Sequence, residues 1–466
     1  MPLAALALLA LLAPPALSIG DEEAVERRRQ ALAWNDKGVE RKAAGQLREA
    51  IEAFERALAL CPTEATIASN LGRTWNDEGV RLLEKEGDVE GALAAFVQGG
   101  KHIPDDRTLR RNHALALDRR GRDKMKQRRF DEAAADFEQA LALAPDEAQI
   151  AFSKCALFHA KEDFDTGERE AEKYTRTFPK EVEGWRLLSE IRYKKGEVKA
   201  AVEALEKAAE LAPSRADVKS RLEELRQEAA VEGNYSPANS RHFQFQIPPN
   251  RRDQQALADL VAGILEDAYY RVGGELDFYP EGRTQVVFYE PKDFNAVTRA
   301  DEWTGALFDG KIRVPIRDFS KQQDTLRNTL FHEYTHRVVS ALAGTACPTW
   351  LNEGLAMMSE GRDVREAEAR LKKAPRSVLD AQTLRGQWVG KLRSEQAQAA
   401  YDQALSMTSL LIEQRGRGPI ATYLRSIGGV GAKAVPEAQA FEAAFRMTFA
   451  ELLERWSMSM GFPKGE

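Results

Sequence analysis

Cysteine is scarce. Cys61, Cys155 and Cys347 are the only three in 466 residues, far apart and without CxxC spacing. An odd, dispersed set argues against a disulfide framework. Cys61 and Cys155 fall on helical positions that normally pack, as small buried thiols do. Charge of one sign is also missing: 67 basic against 73 acidic side chains leave a net −6, with the signs interleaved along the chain. That provides no basic footprint for nucleic acid. After the first twenty residues no stretch is apolar enough to span a bilayer. Histidine is rare too, with six in all. What is present is 43% hydrophobic and 30% charged residues, enough for folded cores and too apolar for global disorder. The length implies two or more domains.

The first twenty residues, "MPLAALALLALLAPPALSIG", stand apart. An apolar core, a proline break and a small-x-small site read as a secretory signal peptide over 1–20, cut near Ser18 or Gly20. The core is short for a membrane span. No Lys or Arg precedes it, which leaves an uncleaved anchor or a mis-set start as alternatives. A cleaved signal implies a periplasmic or secreted bacterial protein with no transmembrane span.

Prolines then set a beat: Pro62, Pro104, Pro145, Pro179 and Pro213, at intervals of 42, 41, 34 and 34. Near copies precede three of them: "EAIEAFERALALCP" (49–62), "DEAAADFEQALALAP" (131–145) and "AAVEALEKAAELAP" (200–213). The pattern resembles the tetratricopeptide repeat, a helix-turn-helix of about 34 residues. The fifth unit carries the family's positions as Trp185, Ser189, Ala201, Leu205, Ala208 and Pro213. The first carries them as Trp34, Gly38, Ala50, Phe54, Ala57 and Pro62, and the third as Gly121, Ala133, Phe137, Ala140 and Pro145. The fourth is weaker, with Gly167, Ala171 and Tyr174 before Pro179. The longer intervals place an extra two turns in the first helix of the second and third units. The resemblance implies an array over 21–230, closed by a capping helix near 214–229 with a polar outer face, and a protein partner on its concave face. A spacer or a dimerisation arm is the other use of such an array.

"VEGNYSPANSR" (231–241) breaks the rhythm and reads as a linker. Beyond it, 242–466 reads as an α+β domain: strand signals at 241–248 and 284–290, a hairpin around Asp309-Gly310, then helices. Pro315 in the second arm of that hairpin suits an edge strand. The fold class is thus an all-α repeat superhelix followed by an α+β domain.

Two of the six histidines sit in "LFHEYTHRVV" (330–339). On a helix His332 and His336 share one face, and their imidazoles can meet at a metal such as Zn²⁺. Glu333 lies about 100° round, beside that point. The alternative is two histidines on a helix face that hold nothing. Seventeen residues after His336, "WLNEGLAMMSEG" (350–361) brings Glu353 on a second helical segment, at a spacing that lets the chain return.

Together HEYTH and NEGLA resemble the gluzincin metallopeptidases, and the layout is similar to peptidase-MA-like domains next to tetratricopeptide repeats. The resemblance implies zinc on His332, His336 and Glu353, with Glu333 as general base. It implies a downstream tyrosine, here Tyr401, as oxyanion donor; an ordinary packed aromatic is the other reading of that residue. Glu360, seven after Glu353 and on the same face, is the candidate to hold an imidazole by its other nitrogen. Met357 stands where thermolysin-like members have an Asp, which favours the aminopeptidase-like branch. The substrate strand would be the edge strand before the zinc helix, with Gly305, Ala306 and Leu307. Tyr334 reads as packing, His242 lies too far upstream, and Asn352 has no firm role. No GAMEN-like segment is present, so endopeptidase and exopeptidase action both stay open.

The expected activity is hydrolysis of a peptide or protein by zinc-activated water, with the repeats recruiting substrate or partner. The alternative is a cell-envelope scaffold with an inert peptidase-like domain.

Overall fold

The computed structural model describes residues 19–249, 254–298, 306–316, 323–374, 378–389, 391–392, 394–430 and 433–462. The expected signal segment lies outside them up to residue 18. Among the described residues, helix pairs come first: α1 (Ile19–Ala43) with α2 (Leu47–Leu60), and α3 (Ala65–Arg81) with α4 (Val89–Gly100). Next are α5 (Arg107–Lys126) with α6 (Phe130–Leu143), α7 (Ala148–Ala160) with α8 (Phe164–Thr177), and α9 (Val182–Lys194) with α10 (Val198–Leu211). A π-helical turn over Leu82–Glu86 prolongs α3. With it α3 reaches 22 residues and α5 has 20, where α7 and α9 have 13 each. The surplus is about two turns, as the longer proline intervals require.

Small residues let the paired helices meet. A Cβ at Gly38, Gly79 or Gly121 would come within 2.6 Å of the ring of Phe54, Phe96 or Phe137 respectively. In the fifth pair Ser189 takes this place and donates to the Ala201 carbonyl at 2.7 Å.

The chain divides into two compact units, one built from the residues up to Gly121 with 135–150, the other from 122–134 with 151–466. The division does not fall at 231–241. Within the second unit α11 (Ala216–Glu232) leads directly to β1 (Ser236–Asn239) and β2 (Phe243–Ile247). Part of the stretch expected to be a linker is therefore strand β1, paired antiparallel to β2 with Ser236 opposite Ile247. Pro237 is tolerated there because β1 is an edge strand.

After α12 (Gln254–Glu275) come β3 (Thr284–Tyr289), α13 (Pro291–Thr298), β4 (Leu307–Phe308) and β5 (Ile312–Pro315). The five strands lie in the order β1-β2-β3-β5-β4. β2, β3 and β5 are parallel and central, and β4 closes the far edge antiparallel to β5. β5 is thus an interior strand, contrary to the expectation from Pro315. β4 reaches only Ile312 and Arg313, so nothing on that side needs the N–H that Pro315 lacks. On the other side it is Ile316 N–H that donates to Tyr289.

Helices fill the rest: α14 (Gln323–Ala343), α15 (Thr349–Ser359), α16 (Val364–Lys373), α17 (Ala381–Arg385), α18 (Ser394–Arg415), α19 (Gly418–Gly428), α20 (Glu437–Phe445) and α21 (Phe449–Met460). One face of the sheet, with Phe243, Phe245, Phe288 and Val314, shares a core with α12 and α14. The opposite face is polar yet covered. Gln244 and Gln285 donate to the carbonyls of Lys195 and Lys194 at the end of α9. Lys311 and Arg313 are 1% and 2% exposed and meet Glu228 and Glu232 of α11. α11 presents a polar outer face, with Asp217, Lys219, Glu223, Glu224 and Arg226 exposed, while Glu228 and Glu232 are buried by pairing with the sheet. The three cysteines are unpaired, with Cys155 and Cys347 buried. No helix among the described residues is long and apolar enough to cross a membrane.

Candidate metal centre

α14 carries His332, Glu333 and His336, and α15 carries Glu353. One donor atom from each of His332, His336 and Glu353 lies within 4.8 Å of the others. His332 Nε2 is 3.7 Å from Glu353 Oε2 and His336 Nε2 is 3.8 Å from Glu353 Oε1. Donor atoms each about 2.0–2.1 Å from a tetrahedral zinc would be roughly 3.4 Å apart, so the set is close to the required spacing. The other ring nitrogens are already engaged: His332 Nδ1 lies 2.8 Å from Glu360 Oε2 and His336 Nδ1 lies 3.0 Å from Asn352 Oδ1. With Nδ1 of each ring engaged by these acceptors, Nε2 is the nitrogen that faces the shared point. The residues fit a zinc ion.

The two helices are pinned together just behind the site. Thr335 donates to the Phe331 carbonyl at 2.8 Å and sits 2.6 Å from the Ser359 hydroxyl. On the far side of α15, a Cβ at Gly354 would lie 2.1 Å from Thr408 Oγ1 and 2.6 Å from the Ala404 carbonyl. Only glycine lets α15 approach α18 so closely beside Glu353. That contact also brings Tyr401 of α18 near the site, half-buried against Met357 and edge-on to Trp388 with ring centroids 5.0 Å apart.

Electrostatics follow from burial. Burial raises the Glu333 pKa, and the neighbouring His332 and His336 imidazoles oppose this only in part. Burial alone would lower His332; the carboxylates of Glu353 and Glu360 outweigh it and raise the imidazole to about 10. Burial pushes Glu353 up, but the two imidazoles bring it below the ordinary range. For Glu360 the order is the same, with His332 and Arg362 lowering it. Burial raises the Tyr401 phenol, and the nearby Glu353 and Glu333 carboxylates raise it further.

The structure thus brings together His332, Glu333, His336, Glu353 and Glu360, with Tyr401 adjacent. β4 runs beside α14; Ala306 is buried and Leu307 half-buried, and Gly305 lies outside the described residues. His242 stands apart, 2.6 Å from Glu266 and stacked on Tyr269. Tyr334 is fully buried against Phe243. Two contributors carry no motif signal in the sequence: Asn352 and Gly354. Asn352 had a chemical signal, an amide oxygen adjacent to a ligand on the helix that faces the imidazoles. A cleft of about 660 Å³ lined by Glu162, Lys195, His242, Tyr279 and Arg283 shares no residue with the centre.

With this geometry in place, comparison defines the class. Residues 286–461 match the model of the Peptidase MA superfamily. Residues 31–64, 114–147 and 157–216 match tetratricopeptide repeat models. The chain joins tetratricopeptide repeats to a Peptidase MA superfamily domain. Among solved structures it is similar to TTC0263, a thermophilic TPR protein in Thermus thermophilus, at 20% identity over 42% of this chain and 98% of that one, TM-score 0.25. It is similar to YrrB, a TPR protein with an unusual peptide-binding site, at 14% identity over 44% and 98%, TM-score 0.29. It is also similar to MamA 41-end from Desulfovibrio magneticus RS-1, at 19% identity over 40% and 97%, TM-score 0.27. No curated protein matches the chain.

Proposed function

We propose that this chain is a zinc-dependent peptidase whose repeats recruit its protein substrate or a partner. The observation that carries the reading is the convergence of two imidazole Nε2 atoms on Glu353, each ring fixed from behind, with a buried Glu333 alongside. His332, His336 and Glu353 would hold the zinc. When bound, the metal supplies a Lewis acid that polarises the scissile carbonyl and acidifies water.

The chain's own residues do the rest. Glu333 accepts the proton of the attacking water and passes it to the leaving amine; its raised pKa suits both halves of that task. The Tyr401 hydroxyl donates to the oxyanion that develops at the attacked carbonyl. β4 is an edge strand, and its open side receives the substrate backbone as an added strand along Ala306 and Leu307. Glu360 and Asn352 fix the ring orientations. A protein partner binds the concave face of the repeats, and the apolar leader supports a location in the periplasm or outside the cell.

Metal analysis of the purified chain tests the reading. One zinc per chain is expected, absent in His336→Ala; a chain that takes up no zinc at neutral pH overturns it. Asn352→Ala is expected to bind zinc on the order of 10–100-fold more weakly, measured by competition with a chelator. Tyr401→Phe should keep its zinc and lose roughly 10²–10³-fold in kcat; an unchanged kcat returns Tyr401 to packing.

A further inference from the structure

The turns inside the five helix pairs share a backbone feature. Gly45, Gly87, Arg128, Glu162 and Gly196 have φ of 75°, 69°, 58°, 60° and 80°. This left-handed region suits glycine and is uncommon for other residues. Four of the turns close with the same backbone bond: Gln46 to Arg41, Arg129 to Lys124, Asp163 to Phe158 and Glu197 to Arg192. Nothing in the turn itself therefore calls for an arginine in the third pair or a glutamate in the fourth.

Their side chains show a use. Arg128 Nη1 donates to the Ala341 carbonyl at 2.9 Å, in the last turn of α14, where helix carbonyls need outside donors. Arg337, the residue after His336, donates through Nη2 to Glu162 Oε2 at 2.5 Å and is only 12% exposed at its side chain. The fifth turn, with glycine, brings its backbone close to the sheet: a Cβ at Gly196 would lie 2.7 Å from Gln246 Nε2. Strained non-glycine residues thus occur at the two turns whose side chains reach the helix that carries both histidines. Backbone strain of this kind persists where the surroundings use it.

We propose that Arg128 and Glu162 are positioning residues for the metal centre. The third and fourth repeat turns hold the C-terminal half of α14, and through it the imidazole of His336. The repeats are then part of the site's support as well as a recruiting surface. This rests on the zinc-peptidase reading above.

The test uses the full chain and the double variant Arg128→Gly/Glu162→Gly. Glycine keeps the left-handed turns and relieves their strain, so a failed turn does not confound the result. Amide hydrogen exchange across 337–343 is expected to speed up about tenfold. Zinc affinity, measured by chelator competition, is expected to fall about tenfold, and kcat to fall with KM unchanged. Glu162→Arg alone should behave alike, and Glu162→Arg/Arg337→Glu should restore both exchange protection and zinc affinity. Parent-like exchange and affinity in the glycine variant overturn the proposal, as does a charge-exchanged pair no better than Glu162→Arg alone. A parent that binds no zinc overturns the peptidase reading by itself, and the exchange data still decide whether the turns hold α14.

Discussion

Glu333→Gln is expected to keep its zinc and lose roughly 10²–10⁴-fold in kcat. Glutamine has the shape of the glutamate and can fill the same buried space. Neither imidazole nor Glu353 depends on Glu333 for its hydrogen bonds; Glu360 and Asn352 serve the histidines. The substitution removes one capacity, that of taking up a proton beside the metal point at a site only 8% exposed. Bulk water cannot easily substitute for a base so enclosed. Because ground-state contacts are kept, KM should move little while kcat falls. Zinc content and cleavage of a denatured-protein pool, measured on the same preparation, decide the matter. Cleavage equal to the parent's would favour the scaffold alternative. Loss of zinc would mean that Glu333 is itself a ligand.

Much of this site could be read from the chain because its parts are local. His332, Glu333 and His336 lie within one helical turn and a half, so periodicity alone places them on adjoining faces. Glu353 and Glu360 share a second helix for the same reason. The repeat lengths were legible too, since each proline ends a helix and the interval measures what precedes it. The long-range partners were not legible. Asn352 reaches His336 from 16 positions further along the chain, and the periodicity of neither helix reveals that contact. The polar face of the sheet misled most. "FQFQI" alternates as a half-exposed strand does, yet Gln246 is 8% exposed. Alternation reports which side chains differ in polarity; it cannot say that a second layer, here the end of the repeats, covers the polar side as well. Pro315 marks an edge only where its missing N–H would face a neighbour, and β4 stops short of it.

That covered face supplies the largest expected effect on stability. Arg313→Met should destabilise the second unit by about 3–5 kcal/mol, a large part of a typical domain's 5–15 kcal/mol. Arg313 donates to Glu232 at 3.0 Å, to Glu228 at 3.2 Å, to Asp309 at 2.9 Å and to the Tyr193 hydroxyl at 3.0 Å, and it also meets Tyr289. Lys311 pairs with the same two glutamates at 3.2 and 3.4 Å. Methionine would fill most of the volume, but it would leave two buried carboxylates facing one ammonium. The cost is that of an uncompensated buried charge, which exceeds anything a surface pair would lose. Burial raises the Glu228 pKa, and Lys311 and Arg313 more than reverse this, so its folded value lies below the ordinary one. A depressed carboxyl contributes stability that is present above its unfolded pKa and lost as pH falls through the folded value. Lys311, raised by Glu232 and the other acids against the effect of burial, contributes below its unfolded pKa and loses this as pH rises through its folded value. The parent should therefore hold a plateau between these limits, and Arg313→Met should lose most of its stability within that plateau. Added salt should restore little, since a buried pair is weakly screened. Removing one charge of each sign, Glu232→Gln with Lys311→Met, leaves Glu228 and Arg313 balanced and should cost less than the two single changes summed. Denaturant midpoints of the full chain measure all four. An Arg313→Met midpoint equal to the parent's would show that the network is neutral and that apolar packing alone joins α11 to the sheet.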